Sequence, residues 1–494
     1  MARVRPRLSS TALTLIAMIA FVVAIVAVGQ ATSARRGDDP TTGRGGPGTE
    51  ELNEEAEEQA ETVEKRLEAM EAARREGRVG QRRANTAGGP AGWTGEQPFD
   101  TDSNDWEPAI AADPNRPWVY AIVTRYGEKP CPGNCPDPFI AIEISSDGGA
   151  TWSEGAPLCA CNGKGQFDPI IEVVPATGHV YALYMKGFNV LFTASRDHGA
   201  SWSTPVKTYG NVAWTDKPVI AMSDDGRDVY VSFNGPTGGD PWLAQSHDFG
   251  ATWTQTKLVQ SKRYYYAFDA DVAADGTVYI GQSSLRYSGP QDTPTGPVEE
   301  HVFVSRDRGA TWTDRLVASG DVGPACDAEG CSADFYLAHH ALTVDATGRV
   351  VLLYDRALSA GGPQRIEARS STNRGRTWSA PVVLSKPGEN ATSPAAESRG
   401  NGDVRAWWME TNGGNDDRWN VWYRRSTDGG GTWSAAVKLS DAGSGADYKT
   451  PDGFLEVYGD YGEMAITNRG KTIAIWGEGF SWSGPGGVWF NRER

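Results

Sequence analysis

Basic residues are scarce in this 494-residue chain, with 47 Lys and Arg against 63 Asp and Glu and a net charge of −16. Residues 1–97 hold 13 basic and 14 acidic side chains, net −1, so the remaining residues carry −15. Such a chain lacks the phosphate-neutralising surface that nucleic acid requires, and no nucleic-acid partner is expected. Cysteine is also sparse: Cys131, Cys135, Cys159, Cys161, Cys326 and Cys331. None falls into a four-ligand zinc-finger spacing, so no metal site is read from them. Charged residues make up only 22% of the chain, whereas Gly (59), Pro (29) and Trp (18) are plentiful. That balance excludes a mainly helical protein and suits many short strands joined by tight turns.

One apolar run, Ala12–Gly29, has no charge and follows Arg3, Arg5 and Arg7. It reads as a transmembrane or signal helix within residues 1–34, either retained as a signal anchor or cleaved after Ala31 or Ala34. Both outcomes leave the rest of the chain extracytoplasmic, either single-pass and membrane-anchored with its N-terminus inside or secreted. In that oxidising compartment the six cysteines are expected to form disulfides. Residues 35–92 read as a disordered tether interrupted by an acidic helix over 50–76, where eleven Glu face four Lys or Arg. Ala60, Val63, Leu67 and Met70 give that helix a thin apolar stripe, and it is expected to be a solvated stalk.

Beyond residue 92 a repeat dominates. It reads SSDGGATW at 145–152, SRDHGASW at 195–202, SHDFGATW at 246–253, SRDRGATW at 305–312, STNRGRTW at 371–378 and STDGGGTW at 426–433. In each copy the Asp carboxylate can accept turn amides, Gly permits positive φ, and Trp can pack into the hairpin. Asn373 keeps the acceptor and loses the charge. A strand pair split by a turn precedes each copy, and a seventh pair lies at 460–479. Seven four-stranded blades are therefore expected over 93–494, the last completed by a strand near Trp93–Phe99 that closes the ring. Six blades with extra terminal strands remain open.

These six copies resemble the BNR, or Asp-box, repeats of the sialidase superfamily. The resemblance implies an all-β propeller with the boxes on the face away from the functional mouth. Starts of the first strands then bring Glu107, Asp168, Asp216, Asp269, His339, His340 and Asp460 around the channel, with Trp214, Tyr265 and Trp419 among the aromatic residues nearby. These carboxylates can cap loop amides, act as acid and base, or offer oxygen ligands to Ca²⁺. No cofactor is otherwise expected.

The resemblance also implies an arginine clamp and a Tyr nucleophile. The opening strand reads Glu107-Pro108-Ala109-Ile110, without the Arg-Ile-Pro motif. Arg125, Arg286 and Arg356 end second strands as substitute candidates, and Tyr458 or Tyr461, near Glu456 and Asp460, is the Tyr–acid neighbourhood. Catalytic candidates are thus Asp216, Asp269, Asp460 and Tyr461. Two readings follow: a monomeric binding propeller that takes a glycan or cell-surface protein at its mouth, or a glycoside hydrolase built on ring carboxylates. Placing the loop at 125–138 beside 155–167 also predicts that Cys131 and Cys135 bond to Cys159 and Cys161, while Cys326 bonds to Cys331.

Overall fold

The computed structural model describes residues 49–77, 88–101, 104–127, 136–159, 163–212, 215–235, 239–288, 293–324, 339–412, 418–441, 449–450, 453–454, 456–479 and 484–494. The apolar run at 12–29, Trp214 and five of the cysteines (Cys131, Cys135, Cys161, Cys326, Cys331) lie outside these, as do the side chains of Asp460 and Tyr461. Among the described residues no helix is long and apolar enough to cross a membrane.

The described strands form seven antiparallel sheets. Blade 1 is Asn104–Ala112, Val119–Tyr126, Phe139–Ser145 and Ala156–Pro157, and the same up-and-down order repeats along the chain. First strands neighbour one another around the ring, that of blade 7 (Glu456–Ile466) returning to that of blade 1. The ring closes as the terminal strand pair predicts. Gln97–Pro98 adds the fourth strand to blade 7 by pairing with Phe490 and Trp489, and Trp93 bridges Glu493. This settles the count at seven rather than six.

Between blades the apolar faces interdigitate. Blade 1 and blade 2 share Ile122, Ile142, Ile171 and Tyr184, for example, and blade 6 and blade 7 share Trp407, Trp419, Trp476 and Trp489. Trp419 is therefore a core residue rather than a ligand platform, because its strand presents that face to the next blade.

The Asp boxes form the turns between third and fourth strands. Asp147 accepts the amides of Ala150 and Thr151 at 2.9 Å and the Thr151 hydroxyl at 2.7 Å. Burial opposes ionisation of Asp147 more than any one bond favours it, but together the bonds prevail and hold its carboxyl at about 2. Asn373 keeps the amide bond to Thr377 at 3.0 Å and donates its own amide to the Thr377 hydroxyl at 2.7 Å, so the turn survives the substitution. Each box Trp packs on a seam between blades, as Trp152 does beside Ile473 and Phe490. Because Asp147 is exposed, Asp147→Ala is expected to cost only about 1 kcal/mol, readable as a small drop in the denaturant midpoint with an unchanged slope.

Helix α1, Thr49–Arg75, carries the stripe noted in the sequence. It is not solvated all round as expected of a stalk. Arg66, Met70 and Ala73 are buried, and Val63 and Leu67 pack against a cluster containing Trp106, Tyr126 and Phe167.

Candidate functional site at the channel mouth

In four blades the first strand carries a bulge at the residue before a proline. Glu107, Asp168, Lys217 and Ser393 adopt φ of 53°, 46°, 48° and 51°, ahead of Pro108, Pro169, Pro218 and Pro394. Strand register shifts at each of these places. Positive φ at a side-chain-bearing residue is strained, and a bulge re-aims the residue it carries. Here the bulges turn polar side chains toward one another at the strand-one end of the channel.

Glu107 crosses to the neighbouring blade. Its carboxylate accepts the Thr124 hydroxyl at 2.6 Å and the Asp168 amide at 3.1 Å. Asp168 and Asp216 stand near enough to influence each other's ionisation. Burial pushes both above the ordinary carboxylate range; Glu107 adds to this at Asp168, and Lys217 opposes it at both.

Below the mouth runs a cavity of about 530 Å³ along the propeller axis, lined by first strands from all seven blades. Seven carboxyl residues line it: Glu172, Asp224, Asp269, Asp271, Asp345, Glu397 and Glu463. Three of them clip one blade to the next. Asp269 accepts Leu342 N–H at 2.8 Å, Asp271 accepts Val344 N–H at 2.7 Å, and Glu463 accepts Ile110 N–H at 2.8 Å. First-strand edge amides inside a ring have no sheet partner, so these carboxylates supply their acceptors. Asp269, a catalytic candidate in the sequence, is thus engaged as a backbone clip. Burial raises Asp271 to about 7 and Glu397 and Glu463 to about 8, and it pushes Glu172 and Asp269 well up.

His339 and His340 also reach the cavity lining, yet both are buried and engaged. Phe268 N–H donates to His340 Nε2 at 3.3 Å, which leaves the proton on Nδ1. That nitrogen sits 2.7 Å from Ser283 Oγ, which donates to Glu300 at 2.6 Å. Burial lowers His340 to about 3, so it stays neutral. The relay joins blades 4 and 5 and is closed to solvent, which excludes Ser283 as a nucleophile. His339 lies 3.4 Å from Asp355, whose carboxylate also accepts Thr392 Oγ1 at 2.8 Å from blade 6.

The three arginine candidates do not form a clamp, and none of them lines the cavity. Arg125 is buried and spends its guanidinium on Asp105 at 2.7 and 2.9 Å and on Glu143 at 3.2 Å. Arg356 donates to Ser319 O at 2.8 Å and pairs with Glu367 at 3.4 Å, while Arg286 is exposed on Val278–Ser288. Tyr265 is corrected as well: it is 3% exposed and packs between blades 3 and 4 with Leu243 and Phe303, leaving no face for a ligand. Among the described residues no group of three or more His, Cys, Asp or Glu side chains is disposed to hold a metal ion. Cys159 is disulfide-bonded, and its partner lies outside the described residues.

Sequence reasoning missed Glu172, Asp271, Glu397 and Glu463. The available signal was an acid inside an otherwise apolar first strand, two or more residues beyond the turn positions that drew attention.

Ring closure, seven repeated sheets and stapled hairpin turns define the chain as an Asp-box β-propeller. Residues 243–457 match the BNR repeat-like domain family. Comparison with curated proteins gives no match. Among solved structures it is similar to a protein of unknown function from Dyadobacter fermentans, with 13% identity, a TM-score of 0.45, and coverage of 82% of this chain and 99% of that one. It is also similar to the Hadza microbial sialidase Hz136, with 12% identity, a TM-score of 0.43 and 76% of each chain covered. A polysaccharide lyase described as a PL25 ulvan lyase gives 11% identity and a TM-score of 0.47, over 83% of this chain and 94% of that one. Likeness at this level carries no argument about activity.

Proposed function

We propose that this propeller is displayed outside the cytoplasm, held by its N-terminal apolar segment, and binds a neutral or amino-bearing glycan at the strand-one mouth of its channel without hydrolysing it. The observation that carries this reading is that mouth carboxyls are engaged by the fold: Glu107 accepts the Asp168 amide at 3.1 Å and Asp269 the Leu342 amide at 2.8 Å. Arg125 and Arg356, already bound to Glu and Asp of their own blades, offer no clamp to a sugar carboxylate. Carboxyls held largely protonated by burial instead offer hydrogen bonds to hydroxyl and amine groups, and supply no cation for an anionic sugar.

The test is a panel of neutral, amino and sialylated glycans presented to the full chain in detergent, with chromogenic glycosides assayed in parallel. Neutral or amino glycans are expected to be retained, and Asp216→Asn to weaken that binding ~10-fold or more. Turnover of any glycoside that Asp216→Asn abolishes would establish the hydrolase reading in its place.

A further inference from the structure

Helix α1 docks on the mouth face of blade 1, where the first strand begins and the second ends. Arg66 is the basic residue of its buried face; Lys65, Arg74 and Arg75 are exposed. The guanidinium carbon of Arg66 stands 3.4 Å from the centre of the Trp106 ring and 5.1 Å from that of Tyr126. Its Nη1 donates to the Tyr126 hydroxyl at 2.7 Å, and its carbonyl accepts Asn104 Nδ2 at 3.2 Å. Trp106 and Tyr126 meet edge to face, their centroids 6.3 Å apart, so together they form a shelf. Glu107, next to Trp106 in sequence, holds the Asp168 amide, and both carboxyls lie near enough to Tyr126 to act on its hydroxyl.

We propose that Trp106, Tyr126, Glu107 and Asp168 form a guanidinium-binding site on the mouth, and that α1 is a releasable strap that fills this site in cis with Arg66. An aromatic shelf beside carboxylates suits a flat, weakly hydrated cation, which stacks through its face and bonds through its edge. Charge favours release. The segment 50–76 has eleven Glu against four basic residues, and it docks on a propeller that is itself strongly acidic. Like charges then oppose docking, and Arg66 is the countercharge placed between them.

Packing points the same way. The strap is held by one stripe, from Val63 to Ala73, whereas the blades are locked by continuous apolar seams. Segments with few buried apolar contacts open well below the global unfolding free energy. The inference is independent of the proposed glycan, since it concerns which cation occupies the shelf and not what enters the channel.

Hydrogen exchange of the full chain tests it. In wild type, amides of 60–75 are expected to exchange faster than those of the first strands. In Arg66→Ala they should exchange at least ~10-fold faster still, with blade amides unchanged. Ethylguanidinium on the order of 10 mM should restore protection, and neutral ethylurea should not. Arg66→Lys, which keeps charge and loses the planar stack, should fall between. Three outcomes would overturn the proposal: unchanged protection in Arg66→Ala, equal rescue by ethylurea, or wild-type α1 amides as slow as the blade core.

Discussion

Arg405→Met is expected to lower stability by about 4 kcal/mol, or ~5 °C in melting temperature for a chain of this length. Arg405 is 1% exposed and joins blade 6 to the closing blade. It donates to Asp403 at 2.9 Å within its own strand. Across the seam it reaches Thr472 Oγ1 at 2.7 Å, Gly470 O at 3.1 Å and Glu493 at 3.2 Å. Methionine fills the space but removes the guanidinium from Glu493 and from the Gly470 carbonyl, and breaking a largely buried ion pair is costly. Two bonds limit the loss. Arg425 still neutralises Asp403, and the Thr472 amide still reaches Glu493 at 2.9 Å. Since Glu493 bridges Trp93, the loss should concentrate at the ring closure, with residues 93–99 becoming protease-sensitive before the other blades. A loss under ~1 kcal/mol would mean that Arg405 does not tie the closure.

Melting temperature is also expected to fall by ~5 °C or more as pH rises from about 5 to 9. The sign follows from the channel. Burial raises Asp271 to about 7, and Glu397 and Glu463 to about 8, above their ordinary values near 4. Between those values the folded state binds more protons than the unfolded one, so stability is full below the unfolded values and is lost as pH rises through 7–8. The box aspartates act oppositely. Hydrogen bonds hold Asp147, Asp248 and Asp428 at about 2, so their contribution is present above the ordinary Asp value and disappears only on strong acidification. The optimum should therefore sit near pH 5. Glu463→Gln keeps the acceptor that Ile110 N–H uses and removes one titration, so it should flatten the decline at high pH. A melting temperature that climbs between pH 5 and 9 would show that the channel carboxyls ionise freely.

Much of the propeller was legible because its signals are local. An Asp-box turn is decided by residues within eight positions of one another, where Asp147 reaches Ala150 and Thr151 without help from the rest of the fold. Ring closure by residues near Trp93–Phe99 followed from counting seven strand pairs against six boxes. The mouth was only partly legible. Glu107, Asp168 and Asp216 do meet, but Asp269 turned out to be a clip to Leu342, and Tyr265 belongs to the core.

Turn chemistry and the two-residue period of strands are written along the chain, and from them the sequence alone determined an all-β ring, its orientation and the outer strand that closes it. The tertiary structure decided which face of each strand meets a neighbouring blade, hence the burial of Trp419 and Tyr265 and the inward aim of Glu172, Asp271, Glu397 and Glu463. It also decided that the stripe on α1 lies against Trp106 and Tyr126. The reason is that such pairings join residues tens to hundreds of positions apart, as Arg66 and Tyr126 or Glu463 and Ile110 do, and their distance is set by the closed ring and not by any local pattern.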